Sequence, residues 1–303
     1  MSTRATGVAF ALVTATISGF AVFLNGYAVK RFGDATVYTT AKNGVAGLLL
    51  LLLAIPVLRA APRRGPAGRP RTAGHWLALG AVAVVGGSVP FVLFFEGLAR
   101  ATSTQAAFIH KTLVIWVALL AVPLLRERLT WAHWAAIAFL IAGQVVVVGD
   151  AGTVSVGTGE AMIFAATLLW AVEVVFVKWL LSSLAAPTLA AARLALGTLL
   201  LLGFVALSGR WGELAGLGSA QWGWALLTGV LLAGYVATWY AALARAQAVD
   251  VTAVLVLSVV VTALLDRGFE GTPFDLVGIG LIALGGTIAA LRVLYPPRRP
   301  VPA

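Results

Sequence analysis

The chain has 303 residues, 61% of them hydrophobic and only 11% charged, with no cysteine and a formal net charge of +10. A soluble domain carries nearer about 25% charged residues, so this composition excludes an ordinary soluble enzyme, and the missing cysteine excludes disulfides and thiolate metal sites. The positive balance does not read as a nucleic-acid surface, because the basic residues sit mainly in short loops between long apolar runs, the pattern that orients a membrane protein.

Ten apolar segments follow one another, at about 7–29, 36–57, 74–98, 103–125, 131–149, 158–180, 187–207, 221–244, 249–265 and 274–292. Most approach the roughly 20 residues that carry a helix across a bilayer. The first is too long for a signal-peptide core and reads as an uncleaved span. Asp34, Ser103 and Thr130 can cap the helices after them, and Asp250 joins them as a capping residue. Pro187 suits a first helical turn, and Thr272-Pro273-Phe274-Asp275 is a strong start signal for the last segment. With the N-terminus inside, the inner loops hold Arg4, Arg59, Arg63, Arg64, Arg69, Arg71, Arg126, Arg128, Lys178, Arg245, Arg292, Arg298 and Arg299. The outer ones hold Lys30, Arg31, Arg100, Arg210 and Arg267. This bias predicts that both termini are cytoplasmic. Trp76, Trp131, Trp134, Trp211, Trp222 and Trp224 lie at segment ends and read as interfacial anchors.

The chain repeats itself. Asn25 and Glu173 each lie five residues before a lysine, Lys30 and Lys178. Lys42 and Arg193 each lie six residues into the next segment. Leu98-Ala99-Arg100 recurs as Leu243-Ala244-Arg245, and Leu140-Ile141-Ala142-Gly143 as Leu281-Ile282-Ala283 with Gly285. Units of five spans, 1–150 and 151–303, contain an odd number of crossings, so the second enters the membrane from the opposite side. The expected fold is therefore an all-α polytopic membrane protein, ten transmembrane helices in two inverted five-helix repeats. Secondary transporters use this design and place their substrate near the midplane between the units.

Within the spans, Glu173 is the outstanding residue. An ionised group in hydrocarbon costs at least about 2.5–3.5 kcal/mol on insertion scales, so it faces a cavity or a partner rather than lipid. Trp170 lies one turn earlier on the same face. Both a cavity acid and a structural partner of a buried Arg or Lys are consistent with this placement. Lys111 lies roughly 12 Å into the fourth segment and reads as a cavity cation or as a buried partner of Glu96 or Glu173. Its neighbour His110 is a packing residue or a proton carrier. Lys42 and Arg193, matched between the units, suggest a shared structural role, bonding carbonyls of a neighbouring helix end, more than a functional one. Glu96 reads as interfacial, and Gln105 as a residue near the outer end that can face the cavity. Phe91, Phe94, Phe95, Tyr235, Trp239 and Tyr240 thicken the third and eighth segments; Trp170 and Trp239 are deep enough for a cavity wall. Pro90 frees a backbone carbonyl, a break tolerated where it lines a cavity, and Gly86-Gly87-Ser88 beside it allows close helix approach. The candidate substrate residues are thus Asn25, Pro90, Phe94, Gln105, His110, Lys111, Trp170, Glu173, Tyr235 and Trp239.

These features resemble the EamA family of the drug/metabolite transporter superfamily. The first span of such a unit typically reads Trp-Gly-x-Asn-Phe followed by a lysine; Trp170–Lys178 matches with Glu173 at the Asn position, and Val22–Lys30 matches with Asn25 but lacks the Trp. The second-span basic residue is present as Lys42 and Arg193. The unit end, Gly-Glu-Arg/x-Leu and then Gly, is met by Arg126-Glu127-Arg128-Leu129 and Gly143. Phe269-Glu270-Gly271 comes early in the second unit, and the family's proline in the fourth and ninth spans is missing, with His110-Lys111 and Ser258-Val259 near those places. Within the family the chain is most similar to YddG-type amino-acid exporters. The resemblance implies export of small zwitterions, amino acids including aromatic ones, across a bacterial inner membrane; lipophilic cations or drugs are the alternative cargo. No phosphate-binding loop and no hydrolase signature occurs, so neither ATP-driven transport on this chain nor enzymatic activity is expected. Nor is a cofactor or a metal. The partners are a small-molecule substrate and the lipid bilayer, and nothing requires more than a monomer.

Overall fold

The computed structural model describes residues 3–60, 70, 72–101, 106, 109–148, 157–271 and 276–294. Among them the protein is helical. Seven helices are long and apolar enough to cross a bilayer, and three shorter apolar helices occupy the fourth, fifth and tenth predicted segments. In chain order they are α1 (Thr3–Val29), α2 (Ala35–Pro56), α3 (Ala73–Leu98), α4 (Ile109–Leu125), α5 (Trp131–Val146), α6 (Thr158–Leu180), α7 (Ala186–Leu207), α8 (Ser219–Leu243), α9 (Ala248–Phe269) and α10 (Leu276–Arg292). Helices satisfy every backbone group internally, which is why apolar runs of this length adopt them in lipid. Their outward faces keep large apolar side chains exposed, among them Leu51, Leu52, Leu119, Leu124, Leu199 and Leu226. Trp76, Trp131, Trp134, Trp211 and Trp222 are exposed at helix ends; Trp224 is half-buried beneath the Arg31 guanidinium, 5.4 Å from its ring centre.

The packing exchanges one half for the other. α1 lies against α8 and α9, while α6 lies against α3 and α4; α2 meets α7 and α8, while α7 meets α2 and α3; α5 pairs with α10. Glycines set the closest approaches. A Cβ at Gly143 would stand 2.6 Å from the Gly278 carbonyl oxygen, and one at Gly285 would stand 2.8 Å from that of Ala136, so both faces of the α5–α10 pair depend on a missing side chain. Neither α3 nor α7 is a plain α-helix. Residues Ala83–Ser88 and Ala192–Leu196 form π-helical turns. These bulges meet, and Gly87 sits so tightly on the Arg193 carbonyl that a Cβ would lie 1.7 Å from its oxygen.

Several start signals behave as expected. Asp34 Oδ1 accepts from the Val37 amide at 2.8 Å, and Pro187 lies in the first turn of α7. Ser103 and Thr272-Pro273-Phe274-Asp275 lie outside the described residues. Thr130 and Asp250 do not cap. The Thr130 hydroxyl accepts from Arg292 Nε at 2.7 Å, and Asp250 pairs with His133 Nε2 at 3.0 Å and Arg292 at 3.8 Å. The first amides of α9 are capped from the other half of the chain. Glu127 accepts from Ala248 N at 2.7 Å and Val249 N at 3.2 Å, a carboxylate placed where the helix dipole favours one. Burial holds the Glu127 carboxyl above its ordinary pKa, against the downward pull of those two amides and Lys178.

Candidate functional site

A cavity with about 160 Å³ of accessible volume lies between the halves, lined by residues of α1, α2, α3, α4, α6, α7 and α8. Its making starts with Pro90. A proline removes the amide that would bond the carbonyl four residues back, here Gly86. That carbonyl accepts instead from Trp170 Nε1 and from Arg193 Nε, both at 3.2 Å. One broken hydrogen bond in α3 thereby positions a ring from α6 and a guanidinium from α7. Pro90 itself does not line the cavity; it acts through Gly86.

Glu173 is buried in the cavity floor, 1% exposed. Its Oε1 accepts from the Tyr240 hydroxyl and lies 3.6 Å from Arg193 Nη1. Its Oε2 has no hydrogen-bond partner among the described residues. A buried acid is costly unless paired, and here half of the carboxylate is paired and half is not. Lys42 lines the same cavity. Its ammonium is wrapped by aromatic faces, 4.5 Å from Phe95, 4.8 Å from Tyr38 and 5.8 Å from Phe91, and among the described residues no carboxylate lies within ion-pairing distance. Ring quadrupoles stabilise the cation without occupying its N–H donors.

The walls are aromatic. Trp170 packs edge-on against Phe91 at 5.5 Å and His110 at 5.0 Å, and tilted against Phe94 at 5.5 Å. Tyr235 and Trp239 are stacked at 6.1 Å. His110 Nδ1 is buried without a hydrogen-bond partner among the described residues. Asn25 lines the side belonging to α1, and its Oδ1 accepts from the Tyr38 hydroxyl.

Of the residues singled out from sequence, Asn25, Phe94, His110, Trp170, Glu173, Tyr235 and Trp239 line this cavity. Gln105 lies outside the described residues. Lys111 does not reach the cavity, which corrects the expectation of a cavity cation there. It is next to His110 in sequence, and adjacent helical residues point to different faces. Its Nζ donates to Ser258 Oγ at 2.9 Å, tying α4 to α9. Its expected partners are engaged elsewhere, Glu173 as above and Glu96 with Thr36 Oγ1 at 2.9 Å, Arg100 at 2.8 Å and Arg210 at 3.3 Å. The cavity cations are instead Lys42 and Arg193. Their sequence signal is the matched position six residues into the second span of each unit, which suggests a structural role; Arg193 combines the two, since it also bonds the Gly86 carbonyl. Among the described residues no group of three or more His, Cys, Asp or Glu side chains is placed to hold a metal ion.

Comparison with known proteins agrees with this architecture. No curated protein matches the chain. A solved structure, described only as the crystal structure of a protein, is similar with a TM-score of 0.71 over 94% of this chain and 97% of its own, at 17% identity; at that identity the likeness is one of fold alone. The model of the EamA-like transporter family matches twice, over residues 5–149 and 157–291. Two matches that together span nearly the whole length, one per half, place this multi-pass membrane protein in the EamA-like transporter family.

Proposed function

We propose that the protein is a secondary transporter that exports small zwitterionic metabolites, foremost amino acids including aromatic ones, by alternating access around the cavity between its halves. The observation that carries this reading is a pair of charged groups in one small space that lack partners among the described residues, the Lys42 ammonium without a carboxylate and the second oxygen of Glu173 without a donor. A substrate carboxylate matches the first and a substrate ammonium the second, with the substrate side chain against Trp170, Phe94 or the Tyr235–Trp239 stack. Lipophilic cations would use Glu173 and the rings but meet repulsion from Lys42, so they fit less well. Export rests on the resemblance to amino-acid exporters. Ten crossings in inverted units 1–150 and 151–303 are supported by the exchanged helix packing, and cytoplasmic termini in a bacterial inner membrane by the basic-residue bias.

Two measurements test these points. In proteoliposomes the protein should support counterflow of labelled amino acids without chemical change, and Lys42→Met should reduce it by at least about tenfold, the worth of one charge-assisted contact. Amino-acid flux that survives Lys42→Met removes the zwitterion reading, and conversion of the label to a new compound would identify an enzyme. Tags at the two termini should be protected from reagents outside intact cells; labelling of either one from outside rejects the proposed orientation.

A further inference from the structure

The two units end their first and third helices with the same residues. Val29-Lys30 matches Val177-Lys178, and Leu98-Ala99-Arg100-Ala101 matches Leu243-Ala244-Arg245-Ala246. The second pair of segments also folds identically. Ala99 and Ala244 donate their amides four residues back, to Phe95 and Tyr240, at 3.0 Å. Arg100 and Ala101 both bond the Gly97 carbonyl at 2.9 Å, and Arg245 and Ala246 both bond that of Ala242 at 2.9 Å. Arg100 and Arg245 each fold back onto the carbonyl of the residue four before them. In each unit a turn with the same bonds leaves the third helix with carbonyls turned outward, where a cation is favoured.

Only one of these turns holds a lysine. Lys178 Nζ donates to the Leu243 carbonyl at 2.6 Å and the Ala246 carbonyl at 2.7 Å. Lys30, its counterpart, is exposed and makes no such bond to Leu98 or Ala101. The cavity shows the same asymmetry. Beyond its floor, toward Lys178, Val177, Tyr240 and Leu243 are fully buried; toward Lys30 it runs up to half-exposed Asn25 and exposed Val22. The end with the bound lysine is shut, and the end with the unbound lysine is open.

We propose that Lys178 and Lys30 are alternating latches, each closing its own end of the cavity by donating to the C-terminal carbonyls of the third helix of its unit. The conformation described here has the Lys178 latch fastened. In the opposite conformation Lys30 donates to the Leu98 and Ala101 carbonyls, and Lys178 releases Leu243 and Ala246. This rests on the alternating-access reading above but not on the chemistry of the cargo.

The chain has no cysteine, so two introduced ones can be spin-labelled without background. Gly26→Cys and Ala99→Cys flank the open end; both positions are exposed, and a side chain at Gly26 meets nothing within 4 Å. Pulsed electron resonance on the reconstituted protein should give mainly one long distance. Lys178→Gln should shift the balance toward a short distance on the order of tenfold, because the open state loses a charge-assisted bond. Adding Lys30→Gln, an exposed change that leaves folding alone, should return the balance to about that of the unsubstituted protein. An unchanged distribution in Lys178→Gln, or a short component that keeps its Lys178→Gln level without Lys30, overturns the latch. Amino-acid counterflow on the same proteins separates this from the transport reading. Intact carriage with distances that ignore both lysines rejects the latch alone, whereas distances that answer to both lysines without any amino-acid carriage reject the proposed cargo and leave the latch standing.

Discussion

Glu173→Gln should abolish most transport and also lower the melting temperature, for two separable reasons. Transport falls, by well over tenfold, because the free Oε2 that would receive a substrate ammonium loses its charge. Stability falls because Arg193, buried at 5% exposure and 3.6 Å from Glu173, is left as an uncompensated cation, a change that costs roughly 3–5 kcal/mol in buried pairs. The Tyr240 hydroxyl keeps an acceptor in the glutamine oxygen, so the loss is one of charge rather than of shape. The combination Glu173→Gln with Arg193→Met divides the two effects. Removing both charges should recover most of the melting temperature, because a buried pair is often replaceable by apolar groups. Transport should stay low. Flux restored along with stability in the double variant would mean that Glu173 only neutralises Arg193 and touches no substrate.

The second large effect is expected from a single methyl group. Gly87→Ala places a Cβ 1.7 Å from the Arg193 carbonyl oxygen, and the Gly197 Cα is 3.2 Å from the same point. Both are backbone atoms of α7, so no side chain can swing aside; α3 and α7 must separate where their π-helical turns meet. Overpacking of this kind usually costs about 1–3 kcal/mol and more where backbone must move, and here it also breaks the contact that holds Gly86 beneath Trp170 and Arg193. We expect a clear drop in melting temperature together with lost transport. Gly80→Ala, in the same helix but with nothing within 4 Å of its would-be Cβ, is the control. It should be neutral or gain up to about 1 kcal/mol from helix propensity. Equal behaviour of the two variants in a melting experiment would show that the meeting of the bulges is not a close-packed contact.

The two predictions share one origin, the opened carbonyl of Gly86. The π-helical turn at Ala83–Ser88, with Pro90 just beyond it, is a local feature whose residues are contiguous in the chain. What it does is not local. The carbonyl it frees lies within reach of groups 84 and 107 residues later, and these assemble with Tyr240 and Lys42 into a charged pocket that no single segment contains.

That division runs through the whole molecule. Helical structure follows from hydropathy because lipid cannot hydrogen-bond a backbone, so an apolar run of sufficient length has few other conformations available. The pairing of Asn25 with Glu173 and of Lys42 with Arg193 reveals the repeat for the same reason: positions that do equivalent work in each unit fall at equivalent depth. Depth and helical face make Trp170 and Trp239 candidates for a cavity wall and leave Glu173 as either a cavity acid or a partner of a buried cation, since the cost of burying a charge or an indole N–H restricts where they can point. Lys111 shows where such reasoning stops. Its depth is like that of a cavity cation, but which face of α4 meets the cavity is set by the rotation of that helix against α5, α6 and α9, and rotation depends on side chains far away in the chain. Lys42 shows the converse, a residue whose matched position suggested structure and whose ring cage, built by α2 and α3 together, leaves its charge free. The repeat, the family and an acid deep in an apolar run are legible in the chain as written, because they depend on transfer free energy and local backbone chemistry. Which cation stands beside that acid, and which of its oxygens lacks a partner among the described residues, emerges only in three dimensions, because each depends on how helices from opposite halves rotate and pack against one another.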